Sequence, residues 1–179
     1  SKALRSFQYA KKLLKLGINT PIPIAVFETK KNFFIDRTFY VCEHIDYDFT
    51  FKEFISSKYN FKKVLEEFSK FCYKLHQNNI NFLDNTPGNT LIKHNNHSFD
   101  FFLVDLNRMK FEKMSFKKRM KNLSMLTVDN DIILEISKIY SKMIHVEPNI
   151  IYKEINFFKT KFQNKLKRKD KLKRILRLK

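Results

Sequence analysis

Three residues of the chain have the types and the spacing that phosphate chemistry needs. Asp84 lies five residues before Asn89, and Asp105 follows an apolar run further along the chain. Phosphoryl transfer requires a carboxylate near the attacking hydroxyl and oxygen ligands that hold Mg²⁺ on the phosphates. The three side chains supply that set, so they predict a phosphoryl-transfer site. The alternative is that this segment forms a surface turn around Pro87 and Gly88 and does no chemistry.

The apolar pattern around these residues predicts the elements that would position them. A stripe at helical spacing predicts one long helix, which Asn60 should cap. A polar loop at 78–89 comes next, and β-rich runs on either side of a turn at 95–98 predict a hairpin that ends near Asp105. A helix, a loop, a hairpin and then an Asp is the order found in protein-kinase-like folds. The helical stripe consists of Phe61, Val64, Leu65, Phe68, Phe71, Cys72 and Leu75.

The N-terminal part of the chain predicts a helix followed by a strand hairpin. Residues 2–16 place apolar side chains at helical spacing and end at Gly17, a residue type that commonly terminates helices. Two β-rich runs, at 24–29 and 33–44, are separated by the polar residues 30–32 and predict an antiparallel hairpin.

The remaining segments read as helices. Thr50 and Glu53 have the spacing of a capping box and predict a short helix before the long one. From Ser115 onward the apolar pattern is helical, with breaks near residues 128–130 and at Pro148.

Composition excludes several classes of protein. Cys42 and Cys72 are the only cysteines, too few for a disulfide framework or a structural zinc site, which fits a reducing cytosol. His94 and His97 have no further ligand residue nearby and should be solvated, whereas His76 should be structural at the end of the long helix. No apolar run approaches the roughly 20 residues that cross a bilayer. The net charge of +18 indicates an anionic partner.

The motifs of the chain resemble those of the lipopolysaccharide kinase family, which phosphorylates Kdo or heptose sugars of the inner core. Residues 16–25 resemble the segment that joins the first lobe helix to the next strand, 82–92 the catalytic loop, and 104–108 the metal-binding segment. The resemblance spans residues 1 to 125. It implies an α+β, protein-kinase-like fold, in which an incomplete N-terminal lobe of one helix and a strand hairpin precedes a mostly helical C-terminal lobe.

The resemblance also implies a role for each residue of the site. Asp84 would be the catalytic base, and Asn89 and Asp105 would be magnesium ligands, with ATP and Mg²⁺ as the cofactors. The backbone of the hinge between the lobes would bind the adenine. The hinge residues are Glu43, His44 and Ile45.

Four departures from the kinase pattern accompany this resemblance. Phe82 stands where related kinases usually have His, and Thr86 stands where serine/threonine protein kinases have Lys, which favours a small-molecule acceptor. The first helix has no Glu, and Ser6 lies near the expected place. The Gly-rich loop and its strand Lys are expected upstream of Ser1.

Arg108 either contacts phosphate or braces the catalytic loop.

The expected organisation has three parts. Residues 1–44 are the remainder of the N-terminal lobe, 45–158 the hinge and helical lobe, and 159–179 a basic amphipathic tail.

The tail has eight Lys and three Arg against Asp170 alone, a net charge of +10 out of +18. Apolar residues recur along it at mostly helical intervals, which predicts a helix that lies on an anionic membrane. A solvated or partly unfolded basic end is the alternative. The apolar residues are Phe158, Phe162, Leu166, Leu172, Ile175 and Leu176.

The sequence therefore predicts a kinase that moves the γ-phosphoryl group of ATP to a sugar hydroxyl of the lipopolysaccharide inner core. Its acceptor would be a lipid-anchored sugar, and the protein would lie on the cytoplasmic face of the inner membrane of a Gram-negative bacterium. The alternatives are a kinase for another small alcohol, a pseudokinase, and a basic nucleic-acid-binding module. Nucleic acid is the least favoured partner, because the aromatic residues fall mostly on periodic core faces.

Overall fold

A computed structural model describes residues 1–31, 33–127 and 129–177, without the side chains at 166, 173 and 175–177. Residue 32 of the expected turn, residue 128 of the expected helix break and the last two residues of the tail lie outside the described residues.

The first part of the chain is a helix packed against a two-stranded hairpin. Helix α1 (Lys2–Lys15) is followed by Gly17 with φ +65°, a backbone conformation that glycine adopts without steric cost. Strands β1 (Pro23–Lys31) and β2 (Phe34–Cys42) pair antiparallel, and α1 contacts both strands.

The two faces of the hairpin differ in exposure. The paired Val26 and Tyr40 are half-buried, whereas the paired Phe27 and Phe39 are 59% and 52% exposed. Strand β2 ends at Cys42, so the expectation that the strand continues to residue 44 was wrong. Glu43 and His44 therefore lie in the connection, although the Glu43 N–H still donates across the end of the hairpin to the Ile22 carbonyl.

The second part contains five short strands and five helices among the described residues. Strands β3, β5 and β6 form one sheet, and β4 pairs with β7 in another. Two single 3₁₀ turns, Pro87–Asn89 and Leu106–Arg108, follow the loop residues near the expected site. In chain order the elements are β3 (Phe49–Thr50), α2 (Phe51–Ser57), α3 (Phe61–Gln77), β4 (Ile80–Phe82), β5 (Thr90–Asn95), β6 (Ser98–Leu103), β7 (Met109–Phe111), α4 (Phe116–Leu123), α5 (Asn130–Ile144) and α6 (Pro148–Arg177).

The two predicted helix caps had different outcomes. The capping box at α2 is confirmed, because Thr50 Oγ1 accepts from the Glu53 N–H and the Glu53 carboxylate accepts from the Thr50 N–H. Asn60 does precede α3, but its side chain makes no cap hydrogen bond. Its φ of 46° is left-handed, whereas a capping side chain needs an extended backbone at that position.

The core consists of two apolar clusters that meet along α3. The larger one lies between α3, α4, α5 and α6 and includes Phe68, whose ring stacks on Phe51 at 4.1 Å. The smaller one joins α1 to the strands near the expected site through Leu75, Phe82 and Leu106. Every residue of the predicted stripe is buried or half-buried, as the helical spacing requires.

The predicted polar loop at 78–89 contains a strand that the sequence pattern did not indicate. Strand β4 pairs antiparallel with β7, with Ile80 opposite Phe111 and Phe82 opposite Met109. Each of these strands has only three residues, too few for a period-two pattern to stand out. The pairing joins the segment just before Asp84 to the segment just after Asp105.

The last helix combines a core segment and a projecting segment. In α6 Ile151 and Ile155 are buried, whereas all but one of the residues with described burial from position 160 onward are exposed. The expected boundary between residues 158 and 159 therefore lies inside one continuous helix. Among the described residues, no helix is both long and apolar enough to span a bilayer.

Candidate active site

Two strand pairings bring the predicted site residues together. The β4–β7 pair draws the segments around Asp84 and Asp105 alongside each other. The β5–β6 hairpin adds Asn89, whose carbonyl accepts from the Val104 N–H at 3.0 Å, next to Asp105. Asp84, Asn89 and Asp105 are thus brought to the same end of these two strand pairs.

The loop that holds Asp84 is closed by its own hydrogen bonds. The Thr86 N–H donates to the Asp84 carbonyl at 2.6 Å, and the Asn89 N–H donates to the Thr86 carbonyl at 3.0 Å. Asn89 Nδ2 also donates to the Asp84 carbonyl, at 2.8 Å. Because the amide nitrogen of Asn89 is used inside the loop, its side-chain oxygen is the atom left to act as a ligand.

Asp105 has an unusual backbone conformation for a residue with a side chain. It is exposed and left-handed, with φ 54° and ψ 54°, immediately before the 3₁₀ turn at 106–108. Asn107 Nδ2 donates to Asp105 Oδ1 and orients the carboxylate. Non-glycine residues with left-handed backbone angles cluster at functional sites, where the surrounding structure fixes the strained conformation.

Arg108 contacts the predicted catalytic carboxylate directly. Its Nη1 lies 2.9 Å from Asp84 Oδ2, and the arginine side chain is 63% exposed whereas that of Asp84 is 19% exposed. The hydrogen bond and the charge of Asp84 raise the pKa of Arg108, and the charge of Asp105 adds to this. Of the two roles considered for Arg108, the ion pair with Asp84 favours bracing of the loop.

A buried polar network lies beneath the loop. Asn122 on α4 donates from Nδ2 to the Phe82 carbonyl at 2.7 Å, and its Oδ1 accepts from Asn85 Nδ2 at 3.0 Å. His76 Nε2 lies 3.0 Å from the same Oδ1 atom. These contacts join the segment around Asp84 to α3 and α4. Sequence reasoning missed Asn85 and Asn122, since a single Asn within a helix or loop gives no pattern.

His76 itself is structural, as expected. It is fully buried, and its Nδ1 lies 2.6 Å from the Tyr140 hydroxyl. Burial lowers the pKa of His76 to about 4, and the positive charge of Arg119 acts in the same direction. The imidazole is therefore neutral at physiological pH and links α3 to α5.

The oxygen atoms near the loop fit a magnesium ion. The Asn89 side-chain oxygen and the Asp105 carboxylate are hard ligands of the type Mg²⁺ prefers, and one or two carboxylates suffice when phosphates and water complete the shell. Within the described part of the chain, no group of three or more His, Cys, Asp or Glu could hold a metal alone. Such a site would be completed by the phosphates of a nucleotide.

The predicted hinge residues lie in the connection between β2 and β3. Glu43 and His44 are exposed and Ile45 is half-buried. The Glu43 N–H donates to the Ile22 carbonyl at 2.9 Å, so only the carbonyl of Glu43 is left to accept from an adenine. His94 and His97 are both exposed at the β5–β6 turn, as expected.

A solved structure described as WaaP in complex with acyl carrier protein has the same fold. The match covers 93% of this chain and 76% of that chain, with a TM-score of 0.65 and 15% sequence identity. At this identity the match shows the fold alone, and it confirms the α+β, kinase-like architecture. No curated protein matches the chain at a significant level.

The sequence comparison identifies the family. A model of the lipopolysaccharide kinase (Kdo/WaaP) family matches residues 1–138, which include α1, the hairpin, the loop at 83–89 and Asp105. The resemblance noted in the sequence is thereby confirmed. The chain belongs to the lipopolysaccharide kinase (Kdo/WaaP) family.

Proposed function

We propose that this protein transfers the γ-phosphoryl group of ATP to a sugar hydroxyl of the lipopolysaccharide inner core, on Kdo or heptose. The observation that carries the proposal is the convergence of Asp84, Asn89 and Asp105 on one loop edge, in a chain that belongs to a kinase family. The carboxylate of Asp84 and the oxygens of the other two residues are the groups that phosphoryl transfer uses.

Asp84 would act as the general base. Its carboxylate accepts the proton of the sugar hydroxyl while that oxygen bonds to the γ-phosphorus and the bond to the bridging oxygen breaks, which leaves ADP. Arg108 holds the carboxylate from one side through the 2.9 Å contact. Because four of its five N–H groups are left over, Arg108 can also face the negative charge of the phosphates.

Asn89 and Asp105 would hold Mg²⁺ on the ATP phosphates. When bound, the ion neutralises charge that develops on the transferring group. The left-handed backbone of Asp105 and the Asn107 contact fix the direction of its carboxylate before nucleotide arrives. Pre-set ligands reduce the reorganisation that binding requires.

The hinge would bind adenine through backbone atoms. The Glu43 carbonyl remains as an acceptor, since its N–H is occupied by Ile22. His44 and Ile45 follow in irregular backbone, where hydrogen-bonding groups are not committed to a helix or a sheet ladder.

The acceptor would be a lipid-anchored sugar, reached from the cytoplasmic face of the inner membrane of a Gram-negative bacterium. Lipopolysaccharide is a bacterial glycolipid, and an enzyme acting on its core benefits from lying at the membrane surface. The projecting part of α6 is basic and exposes Phe162 and Leu172, at 38% and 59%. These features favour contact with an anionic bilayer through residues 159–179.

Phosphorylation of a defined acceptor tests the proposal. The full-length protein is incubated with Mg²⁺ and ATP, and with inner-core lipopolysaccharide that lacks phosphate, a soluble amino alcohol, or no acceptor. A mass increase of one phosphate on the inner-core sugar alone is the expected result. Transfer to the amino alcohol alone would favour the other small-molecule kinases, and nucleotide binding without transfer would favour a pseudokinase.

An acyl carrier protein is a second partner to examine, because the related WaaP was solved in complex with one. Mass spectrometry of the purified full-length protein detects a co-purifying carrier protein directly. If a carrier protein co-purifies in stoichiometric amount, it is a further partner of this chain. If none co-purifies, the lipid-anchored sugar remains the proposed partner.

A further inference from the structure

The side chain of Asn122 holds the residues on both sides of Asp84. Its Nδ2 donates to the carbonyl of Phe82, two residues before the carboxylate, at 2.7 Å. Its Oδ1 and its backbone carbonyl accept from Nδ2 of Asn85, the next residue after the carboxylate, at 3.0 and 3.3 Å. A single side chain on α4 therefore fixes the loop on either side of the reacting group.

The orientation of the Asn122 amide is determined by its partners. The Phe82 carbonyl can only accept, so the atom facing it must be the amide nitrogen. The opposite atom is then an oxygen, which makes His76 donate from Nε2 and accept at Nδ1 from the Tyr140 hydroxyl. Asn85 Nδ2 donates to two oxygens of Asn122, and the reverse arrangement would place the Asn122 oxygen against the Phe82 carbonyl and its nitrogen against Asn85 Nδ2.

The network is shielded from water. His76 and Tyr140 are fully buried, Asn85 is 1% exposed and Asn122 is 3% exposed. A buried polar group that loses its partner pays the full cost of desolvation, so the network strongly prefers one arrangement. Because its members come from α3, α4 and α5, the helical core sets the position of the loop.

We infer that Asn122 is a positioning residue for the phosphoryl transfer proposed above, acting through Phe82 and Asn85 to hold the Asp84 carboxylate where the acceptor hydroxyl binds. This role rests on the proposed function. It explains how a loop with Phe82 in place of the usual His is held. Asn122 touches no reacting atom, so its loss reduces turnover by letting Asp84 move and not by removing the base.

Two substitutions in the full-length protein test this role. Asn122→Ala removes the side-chain contacts from α4 and keeps only the backbone carbonyl of residue 122 as an acceptor for Asn85. Asn85→Ala removes the two contacts from the loop, so this second variant serves if the first does not fold. Ile132→Val is the matched control, because Ile132 is buried near the start of α5, eight residues before Tyr140. Each protein is assayed at the same temperature interval below its own Tm.

We expect both Asn variants to lower kcat by about 10- to 100-fold, the range that loss of a buried hydrogen bond allows, with KM for Mg²⁺·ATP within about threefold of wild type. Hydrogen exchange of the Thr86 and Asn89 amides should become about tenfold faster, since the loop opens more often. The control variant should keep the wild-type kcat and the wild-type exchange rate of these amides. A kcat that falls no further than in the control, with unchanged exchange at 83–89, would overturn the inference.

The exchange measurement separates this inference from the proposed function. It needs neither nucleotide nor acceptor, so it shows whether Asn122 holds the loop even if the wild-type protein transfers no phosphate. If the wild-type protein transfers no phosphate but the Asn variants show faster loop exchange, the holding role of Asn122 stands and the kinase proposal is rejected. If the Asn variants show unchanged loop exchange and wild-type turnover, the holding role of Asn122 is rejected and the kinase proposal stands.

Discussion

Arg108 Nη1 lies 2.9 Å from Asp84 Oδ2, with the arginine 63% exposed and the carboxylate 19% exposed. An exposed ion pair contributes little to folding because water screens the attraction and both side chains lose freedom. The contact instead determines where the Asp84 carboxylate points and which charge it faces. Its consequences should therefore be seen in catalysis and not in stability.

Arg108→Ala should reduce kcat by about tenfold, since one charged contact to the base is lost, while the Tm stays close to that of wild type. Steady-state kinetics and thermal unfolding of the full-length protein measure the two quantities. Lys70→Ala is the matched control, because the Lys70 side chain is 60% exposed and forms an ion pair with Glu66 on α3 at 2.7 Å. Wild-type turnover in Arg108→Ala would show that the arginine does not orient the base.

Asp105→Ala should weaken Mg²⁺-dependent ATP binding, because the variant loses a carboxylate ligand for the ion. Titration calorimetry with ATP, in the presence and absence of Mg²⁺, should show that the Mg²⁺ dependence has largely disappeared. Asp100→Ala, on strand β6 of the same hairpin, should keep it. Loss of turnover in Asp105→Ala with normal Mg²⁺·ATP affinity would argue against the ligand role.

Protonation of His76 should destabilise the fold in weak acid. The folded pKa of His76 is lowered to about 4, below the ordinary value of 6.5, so the unfolded chain takes up a proton first as the pH falls. The stabilisation is complete above pH 6.5, is lost progressively between 6.5 and 4, and amounts to about 3 kcal/mol.

Urea unfolding at pH 7 and at pH 4.5 tests this. The free energy of unfolding of wild type should fall more steeply over that interval than that of His76→Gln, which has no group that titrates there. The difference between the two slopes isolates His76 from the carboxylates, which titrate in both proteins. Equal slopes would mean that His76 takes up a proton in the folded protein as readily as in the unfolded chain.

Removal of residues 163–179 should weaken binding to anionic vesicles while leaving the folded body intact. The truncation retains Ile151, Ile155 and Phe158 in the core contacts of α6, together with the Lys159 contact to Asn130. It removes most of the +10 charge, and each basic residue near an anionic surface contributes about 1 kcal/mol. Vesicle sedimentation at physiological salt measures binding, with zwitterionic vesicles as the control.

The same truncated protein should react more slowly with acceptor embedded in membranes and at the wild-type rate with a soluble sugar analogue. Equal vesicle binding by the truncated and complete proteins would exclude the membrane contact. Loss of reaction with the soluble analogue would mean that the tail supports the catalytic body and not the encounter with the membrane.

The larger elements and the site loop could be predicted because their signals are local. The stripe from Phe61 to Leu75 has helical period over four turns, and the Thr50 and Glu53 pair is a complete capping motif within four residues. The loop motif from Asp84 to Asn89 was also readable, and it led to the family that the comparison confirms.

The parts that could not be predicted depend on contacts between distant segments. Strands β4 and β7 have three residues each, and only their mutual pairing makes them strands. Asn122 lies 37 residues after Asn85, and its role follows from how α4 packs below the loop. At Asn60 a left-handed backbone prevented the cap that the residue type suggested. Local sequence rules do not contain this information.

The most direct measurement is phosphoryl transfer by Asp84→Asn in the full-length protein, with ATP, Mg²⁺ and an inner-core sugar acceptor. Loss of a general base typically costs about 10²- to 10⁴-fold in rate, whereas Asn has nearly the same shape and should leave the fold and the nucleotide affinity close to wild type. We expect kcat to fall by at least about a hundredfold with an unchanged Tm. Residual turnover above about a tenth of the wild-type rate would contradict the assignment of Asp84 as the catalytic base.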